Sequence, residues 1–490
     1  MTDQATQTTR RESENHGPYR QPDFHPLPSF YGKKLPTVRL EAEVYDCELE
    51  GVVPPQLNGT YYRLGPDTLY PILGDDDNII NGDGYVMKFR IEDGHVDFAS
   101  KYVQTSRYLE QRKARRRLYN EYRNPFTDEP DAPKIPDRDN TANTYAMWVN
   151  NRLFALREDS HPHELDPETL ETLDVFDFDG KLKSTALSAH TKVDPVTGEW
   201  WCFGLFAERR FEGEVALVVA DSDLNLVREE LFEAPYPGLM HDFAVTREHV
   251  IFDIQPLTVD LDRAKAGGDF YAYDPELPSM WGIMPRSGTV ADIRWFRAPN
   301  VVVGHIMNAF TDGDRVIVDA PVSPGNAFPF FTDVNGQPTD VDESFAKITR
   351  LTFDLSSDVD EPIVERIEDA VGEMPRIDDR FGMGAYRYGY YKSAEGISRI
   401  DWQTRELTTF PMTPPSLAHE PVFVPRSADA PEGDGFVLVV VSHLHTNRGE
   451  LMILDANDLA AGPIARAKIP YSPPFTFHGS FAHNVDHAAR

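Results

Sequence analysis

"GYVMKFRIEDGHVDFASKYVQT", residues 84–105, alternates apolar and polar side chains on both sides of Glu92-Asp93-Gly94. A period of two belongs to a strand with one buried face, because successive side chains point to opposite sides. Asp-Gly between two such runs signals a hairpin, since both residues tolerate the backbone of a tight turn. Similar runs fill the chain. They include "NRLFALRED" (151–159), "EWWCFGLF" (199–206, entered by the turn "DPVTG" at 194–198) and "EVALVVADSDLNLVREELF" (214–232). "HVIFDIQPL" (249–257), "DRVIVDAPV" (314–322), "KITRLTFDL" (347–355), "GFVLVVVSHL" (435–444) and "ELMILDANDL" (450–459) continue the series.

Helical pattern is scarce. The best case is "RYLEQRKARRRLYNEY" (107–122), with Tyr108, Leu109, Leu118, Tyr119 and Tyr122 as apolar points. Its basic run, Lys113 to Arg117, reads more readily as a solvated helix face than as a contact for a membrane or an anion. Short strands without helical crossovers predict an all-β fold. A sandwich is too small for this length. The ~460 residues beyond a polar lead-in would make a seven-bladed β-propeller of about 65 residues per blade, capped by loops and short helices. No strict repeat such as a Trp-Asp signature is visible, so that step rests on size and class.

Composition narrows the function. The chain has 490 residues, 40% of them hydrophobic and 11% aromatic, enough to fill a large core. Its net charge of −32, from 48 basic and 80 acidic residues, argues against nucleic acid as a partner, because phosphate binding needs a basic surface. Two cysteines, Cys47 and Cys202, make no disulfide framework and fit a reducing compartment. Residues 1–25 are polar with no apolar run and read as a disordered lead-in rather than a secretory signal. No stretch is long and apolar enough for a transmembrane helix. The expectation is a cytoplasmic protein with one propeller catalytic domain over 26–490.

Of fifteen histidines, several stand in apolar or Gly-flanked contexts: His190, His241, His305, His419, His443, His445 and His478. Taken singly, each reads more readily as a satisfied structural histidine than as a ligand. His190, His241 and His305 stand 51 and 64 residues apart, close to one blade each. Equivalent points of successive blades face the axis, so these rings would converge there. Neutral imidazoles suit iron, copper, zinc and nickel, and leave coordination positions open. No local metal motif supports the spacing. There is no P-loop, no G-x-S-x-G and no H-E-x-x-H, and the acidic turns at 75–84 and 333–340 lack EF-hand spacing.

A set of ordered stretches goes further: "LNGTYYRLGP" (57–66), "NGDGYVMKFRIEDGHVDFASKYVQT" (81–105), "TANTYAMWVNNRLFALRED" (141–159), "AHTKVDPVTGEWWCFG" (189–204), "MHDFAVTREHVIF" (240–252), "HIMNAF" (305–310), "EPVFVPR" (420–426) and "PFTFHGSF" (474–481). Together they resemble the carotenoid cleavage oxygenase family from about residue 35 to 481. The resemblance implies a seven-bladed propeller with one non-haem Fe(2+) ion on its axis and O2 as co-substrate. It implies His190, His241, His305 and His478 as iron ligands, with Glu158, Glu373 and Glu420 paired to three of them. A carboxylate that accepts the far N–H of a ligating imidazole fixes its tautomer and raises its basicity.

"YRNPFTDEP" (122–130), "ELDPETLET" (164–172), "DIRWFRAP" (292–299) and "PEGDGFVL" (431–438) are most similar to one branch, the enzymes that cleave lignostilbenes and isoeugenol-type phenylpropenes. That branch holds the substrate phenol with a tyrosine and a lysine. The tyrosine maps to Tyr122, with Tyr108 as the alternative, and Arg157 stands where the lysine is expected. An arginine could still bind a phenol oxygen, but its planar fork suits a carboxylate better. The implied activity is oxidative cleavage of a conjugated C=C bond in a small aromatic alkene to two carbonyl products. The rival readings are the same chemistry on a carotenoid or apocarotenoid, and a non-enzymatic binding propeller that holds no iron. The aromatic run "GNAFPFFTD" (325–333) reads either as a tunnel lining or as core.

Overall fold

Strands Asp83–Glu92 and His95–Tyr102 pair antiparallel with Glu92 opposite His95, so Asp93-Gly94 is a two-residue loop. Both loop residues have positive φ, 50° and 85°, as a type I′ turn requires. The alternation places Tyr85, Met87, Phe89, Ile91, Val96 and Phe98 on one buried face. That face packs against Phe436, Leu438, Leu451 and Ile453 of another sheet. The hydrophobic effect thus joins sheet to sheet, at ~25 cal/mol per Å² of apolar surface removed from water.

The computed structural model of the chain describes residues 27–30, 33–35, 37–74, 77–208, 211–339, 341–413 and 415–484. The lead-in expected over 1–25 lies outside the described residues. Strands occupy 46% of the chain and helix 8%, so apolar sheet faces are covered by other sheets rather than by a helical layer. The all-β expectation holds. The main sheets contain nine, four, six, eight and six strands. Two of them join smaller units. In the nine-stranded sheet, His478–His483 pairs antiparallel with Gly59–Asp67 along its length but meets Tyr145–Val149 in parallel at two positions. In the eight-stranded sheet, the long strand Ile363–Ile377 serves Lys347–Asp354 with one half and Tyr388–Ser393 with the other, with a register shift on each side.

The chain ends are sewn into distant sheets. Leu49–Gly51 completes the sheet of Gly435–His443, Arg448–Asp455 and Pro463–Ile469, while the C-terminal His478–His483 completes the sheet of Gly59–Asp67.

The helix expected over 107–122 is shorter than its pattern. It spans Ser106–Ala114 and ends at Arg115 in the left-handed conformation, φ 56°. The basic run is not one solvated face. Arg117 is buried and pairs with Asp77 at 2.8 Å, and also donates to the Tyr119 carbonyl. Leu118, Tyr119 and Tyr122 return to the interior as irregular chain. A buried guanidinium needs its acceptors, and Arg117 reaches them only where the chain has left the helix. No helix among the described residues is long and apolar enough to cross a membrane.

Candidate metal centre

Each of the four expected histidines stands at or just before the innermost strand of a sheet. His190 precedes Lys192–Val193, His241 precedes Phe243–Val245, His305 precedes Asn308–Asp312, and His478 opens His478–His483. The strands bring the rings together. His190, His241 and His305 each offer a ring nitrogen, all within 4.8 Å of one another. The His478 ring lies 4.6 Å from that of His190 and 4.9 Å from that of His305, centroid to centroid.

Three rings are held from behind. His241 Nδ1 lies 2.6 Å from Glu158 Oε1, His305 Nδ1 2.8 Å from Glu373 Oε2, and His478 Nδ1 2.8 Å from Glu420 Oε1. With the proton on Nδ1 and donated to a carboxylate, each neutral ring turns a bare Nε2 lone pair inward. His241 Nε2 and His305 Nε2 then face each other at 3.3 Å as two acceptors, and His190 Nε2 is buried with no hydrogen-bond partner. Opposed lone pairs and an orphaned buried nitrogen are costly alone. A divalent cation at their meeting point satisfies all of them, so the residues fit a metal ion bound by imidazole.

Electrostatics favours neutral rings at His190 and His478. Burial pushes the His190 pKa well below its usual range, and pushes His478 down to about 4 against the opposing pull of Glu420. Burial acts on His305 in the same direction, but the Glu373 charge and hydrogen bond, with Asp242 and Glu420, leave it raised. Burial would raise Glu158, yet the His241 hydrogen bond and the charges of His241, Arg123 and Arg157 bring it down to about 2. Glu420 lies below the carboxylate range for a like reason. It is clamped by Arg63 at 2.6 Å and Arg376 at 3.4 Å, which outweigh burial.

Against the centre lies a cleft of about 80 Å³ lined by Leu239, Tyr271, Phe328, Phe330, Phe331 and Phe477, with Tyr122 and Arg157 in its wall. The run 325–333 therefore supplies three rings of this lining. Tyr122 donates its O–H to Glu158 Oε2 at 2.7 Å, so the carboxylate that orients His241 also holds this phenol. Tyr108 is elsewhere, stacked on Tyr102 in another apolar cluster.

Most of the Arg157 fork is already engaged within the protein. Its Nε donates to Asp159 at 3.2 Å, and its Nη1 to the Ile80 carbonyl at 3.1 Å and Asn143 Oδ1 at 2.7 Å. The guanidinium lies 5.0 Å over the Tyr122 ring. Only Nη2 has no partner among the described residues, so Arg157 presents a single donor nitrogen rather than a fork. Sequence reasoning missed Arg123, which pairs with Asp159 at 2.5 Å and donates to the Tyr271 hydroxyl. It also missed Arg63, whose charge inside the buried strand "GTYYRLGPD" was the visible sign of a buried carboxylate partner. His419 bonds Thr476 and Ser442, and His443 bonds Ser416 and Glu450; both are structural.

Residues 36–483 match the family model described as RPE65, retinal pigment epithelial membrane protein. The chain is 37% identical to a lignostilbene-α,β-dioxygenase isozyme III of Sphingomonas paucimobilis, covering 91% of this chain and 96% of that one. It is 39% identical to an isoeugenol monooxygenase of Pseudomonas putida, covering 92% and 97%. The crystal structure of Pseudomonas brassicacearum lignostilbene dioxygenase superposes with a TM-score of 0.88 at 37% identity, over 91% of this chain and 96% of that one. The chain thus belongs to the RPE65 family of carotenoid cleavage oxygenases.

Proposed function

We propose that this protein is an oxygenase, dependent on one Fe(2+) ion per chain and on O2, that cleaves the conjugated C=C bond of a phenolic stilbene or phenylpropene into two carbonyl fragments. The observation that carries this reading is the ring of four imidazoles, three of them braced by glutamates, against an aromatic cleft. The relatives named for lignostilbene and isoeugenol support the substrate class. His190, His241, His305 and His478 would hold the iron, with Glu158, Glu373 and Glu420 fixing three tautomers. Bound there, ferrous iron supplies the redox chemistry that lets O2 react with a closed-shell alkene.

The chain's own residues do the rest. The phenylalanines flatten the aromatic substrate against the centre and exclude water from the alkene. Tyr122 donates its O–H to Glu158, so its oxygen is left to accept a hydrogen bond from the substrate phenol. Arg157 Nη2 donates to the same phenol oxygen. Its fixed charge draws the phenol toward phenolate, which pushes electron density along the conjugated system to the bond that breaks.

We also read the fold as seven blades forming one catalytic domain over 26–490. Dividing the nine-stranded sheet at its parallel seam, and the eight-stranded sheet within Ile363–Ile377, gives seven antiparallel units. The seven apolar clusters among the described residues each lie between two consecutive units, and the cluster of Tyr62, Leu64, Ala146 and Ala155 closes the circle. The free thiols of Cys47 and Cys202 support a cytoplasmic setting.

The test is anaerobic iron loading, then aerobic incubation in parallel with a 4-hydroxystilbene, isoeugenol and an apocarotenal. Mass spectrometry should find aldehyde products from the first two. Cleavage of the apocarotenal alone would overturn the substrate class, and no cleavage with iron bound would overturn the activity.

A further inference from the structure

Two cavities meet at the four imidazoles. One is the aromatic cleft. The other is a larger cavity of about 410 Å³, walled in part by the strands that His190, His241, His305 and His478 precede or open. His305 and His478 border both, His241 borders the cleft, and His190 borders the larger cavity.

The larger cavity has a mixed wall, apolar in part, with far more charge than the aromatic cleft. Lys192, Asp242, Arg376, Asp379, Arg380 and Glu420 stand in its wall. Each cation has an acid beside it: Lys192 pairs with Asp242 at 2.6 Å, Arg376 with Asp379 at 3.2 Å, and Arg380 with Asp378 at 2.6 Å. No net positive charge therefore repels an incoming cation. Asp379 stands where the cavity meets solvent, its side chain 74% open. Deeper in, Thr191 borders the same cavity beside His190, and its buried hydroxyl has no hydrogen-bond partner.

We infer that this polar cavity is the path by which a hydrated divalent metal ion reaches and leaves the four imidazoles. The inference rests on the metal-centre reading above. An aquated dication crosses a protein cheaply only where oxygen atoms replace the water it loses, since stripping a charge into apolar surroundings costs several kcal/mol. The aromatic cleft offers mostly rings and aliphatic carbon, and its one charged donor, Arg157, would repel a cation. The larger cavity offers the carboxylates of Asp242, Asp379 and Glu420 and the Thr191 hydroxyl. The net charge of −32 further enriches cations around the molecule. Metal and organic substrate thus use different cavities of one centre, and a substrate filling the cleft leaves the metal's route open.

The channel can be obstructed after folding. Cys47 and Cys202 are both buried, so an Asp379→Cys variant offers one accessible thiol. The iron-loaded variant is labelled anaerobically with a bulky maleimide or, separately, with a methyl thiol group. Loss of iron(II) to an excess of chelator is then followed by absorbance, with and without saturating 4-hydroxystilbene. The bulky label should slow iron loss about tenfold or more, while the methyl label and the hydroxystilbene should leave it near the unlabelled rate. The inference is overturned if the hydroxystilbene slows release and the bulky label does not, or if both labels slow it equally. A variant and parent that never bind iron would overturn the metal centre itself, and the route with it.

Discussion

Glu158 does two things with one carboxylate: Oε1 takes the His241 Nδ1 proton and Oε2 takes the Tyr122 hydroxyl. Glu158→Gln keeps the volume but replaces one acceptor oxygen with a donor amide, so the His241 tautomer and the Tyr122 orientation cannot both be held. Metal affinity should fall about 10- to 100-fold, read by titration with cobalt(II); unchanged affinity would mean that Glu158 does not orient a ligand. Arg157→Met removes the single free donor from the cleft wall. Its KM for 4-hydroxystilbene should rise about 10- to 100-fold while that for unsubstituted stilbene stays near the parent's, the worth of one hydrogen bond to a charged group. An equal rise for both substrates would contradict a phenol contact. Next to Tyr122, burial with Asp269 and Asp77 nearby pushes the Glu121 carboxyl up to about 7. Between the ordinary carboxylate value and pH 7, the unfolded chain loses this proton and the folded chain keeps it, so stability falls as pH rises through that window. Glu121→Gln should therefore gain ~1 kcal/mol over the parent at pH 8 and little at pH 5 in urea unfolding, after allowance for partial exposure. A gain that is the same at both pH values would count against it. At this scale the sequence was legible in part. Apolar flanks marked the histidines, but pairing a glutamate with each needed the resemblance, because a carboxylate's partner lies far along the chain. The Arg157 bonding was illegible, since it depends on Asn143 and the Ile80 carbonyl, which only the fold brings near.

Strands were legible because alternation is a local signal of a half-buried face. Glu214–Ala220 and Gly435–His443 fall within the expected runs, and His249–Val259 and Arg315–Ser323 overrun theirs by only two residues and one. The helix over 107–122 was overextended because its apolar spacing continues past the point where Arg117 turns to Asp77. A repeat does exist, but it is in the turns. Asp166, Asp194 and Asp401 each accept backbone N–H groups two and three residues on, and each motif ends in threonine: Thr169, Thr197 and Thr404. Such Asx turns leave most positions free to vary, so no long repeat shows. The Asp93-Gly94 hairpin gives the cleanest test of an element. A Cβ at Gly94 meets nothing within 4 Å, so any cost comes from its φ of 85° alone. Gly94→Ala should lose about 1–2 kcal/mol in urea unfolding with the m-value unchanged. No loss would mean that the turn relaxes to another type.

At the scale of the molecule, the four histidines are the points at which separate sheets meet one another. His478 opens a strand of one sheet, and His190, His241 and His305 each stand just before a strand of three others, so the rings come together from four sheets. Size and strand count made a mostly β architecture legible. Its long-range pairings were not, because they join Leu49–Gly51 to a sheet hundreds of residues away and wedge His478–His483 beside Gly59–Asp67. Sequence periodicity carries no information on such pairings. An ion held by all four rings would tie these sheets at the axis and would bind the unfolded chain poorly, since the rings are then far apart. Binding to the folded state alone stabilises it by about 2.7 kcal/mol when free metal is a hundredfold above its dissociation constant. Stripping the metal should therefore lower the melting temperature by several degrees, and restoring iron(II) should recover it. In Glu420→Gln the His478 ring loses its brace, so the gap between stripped and loaded protein should narrow as affinity falls. Identical melting of stripped and loaded parent protein would show that the four rings do not share an ion, whatever their spacing.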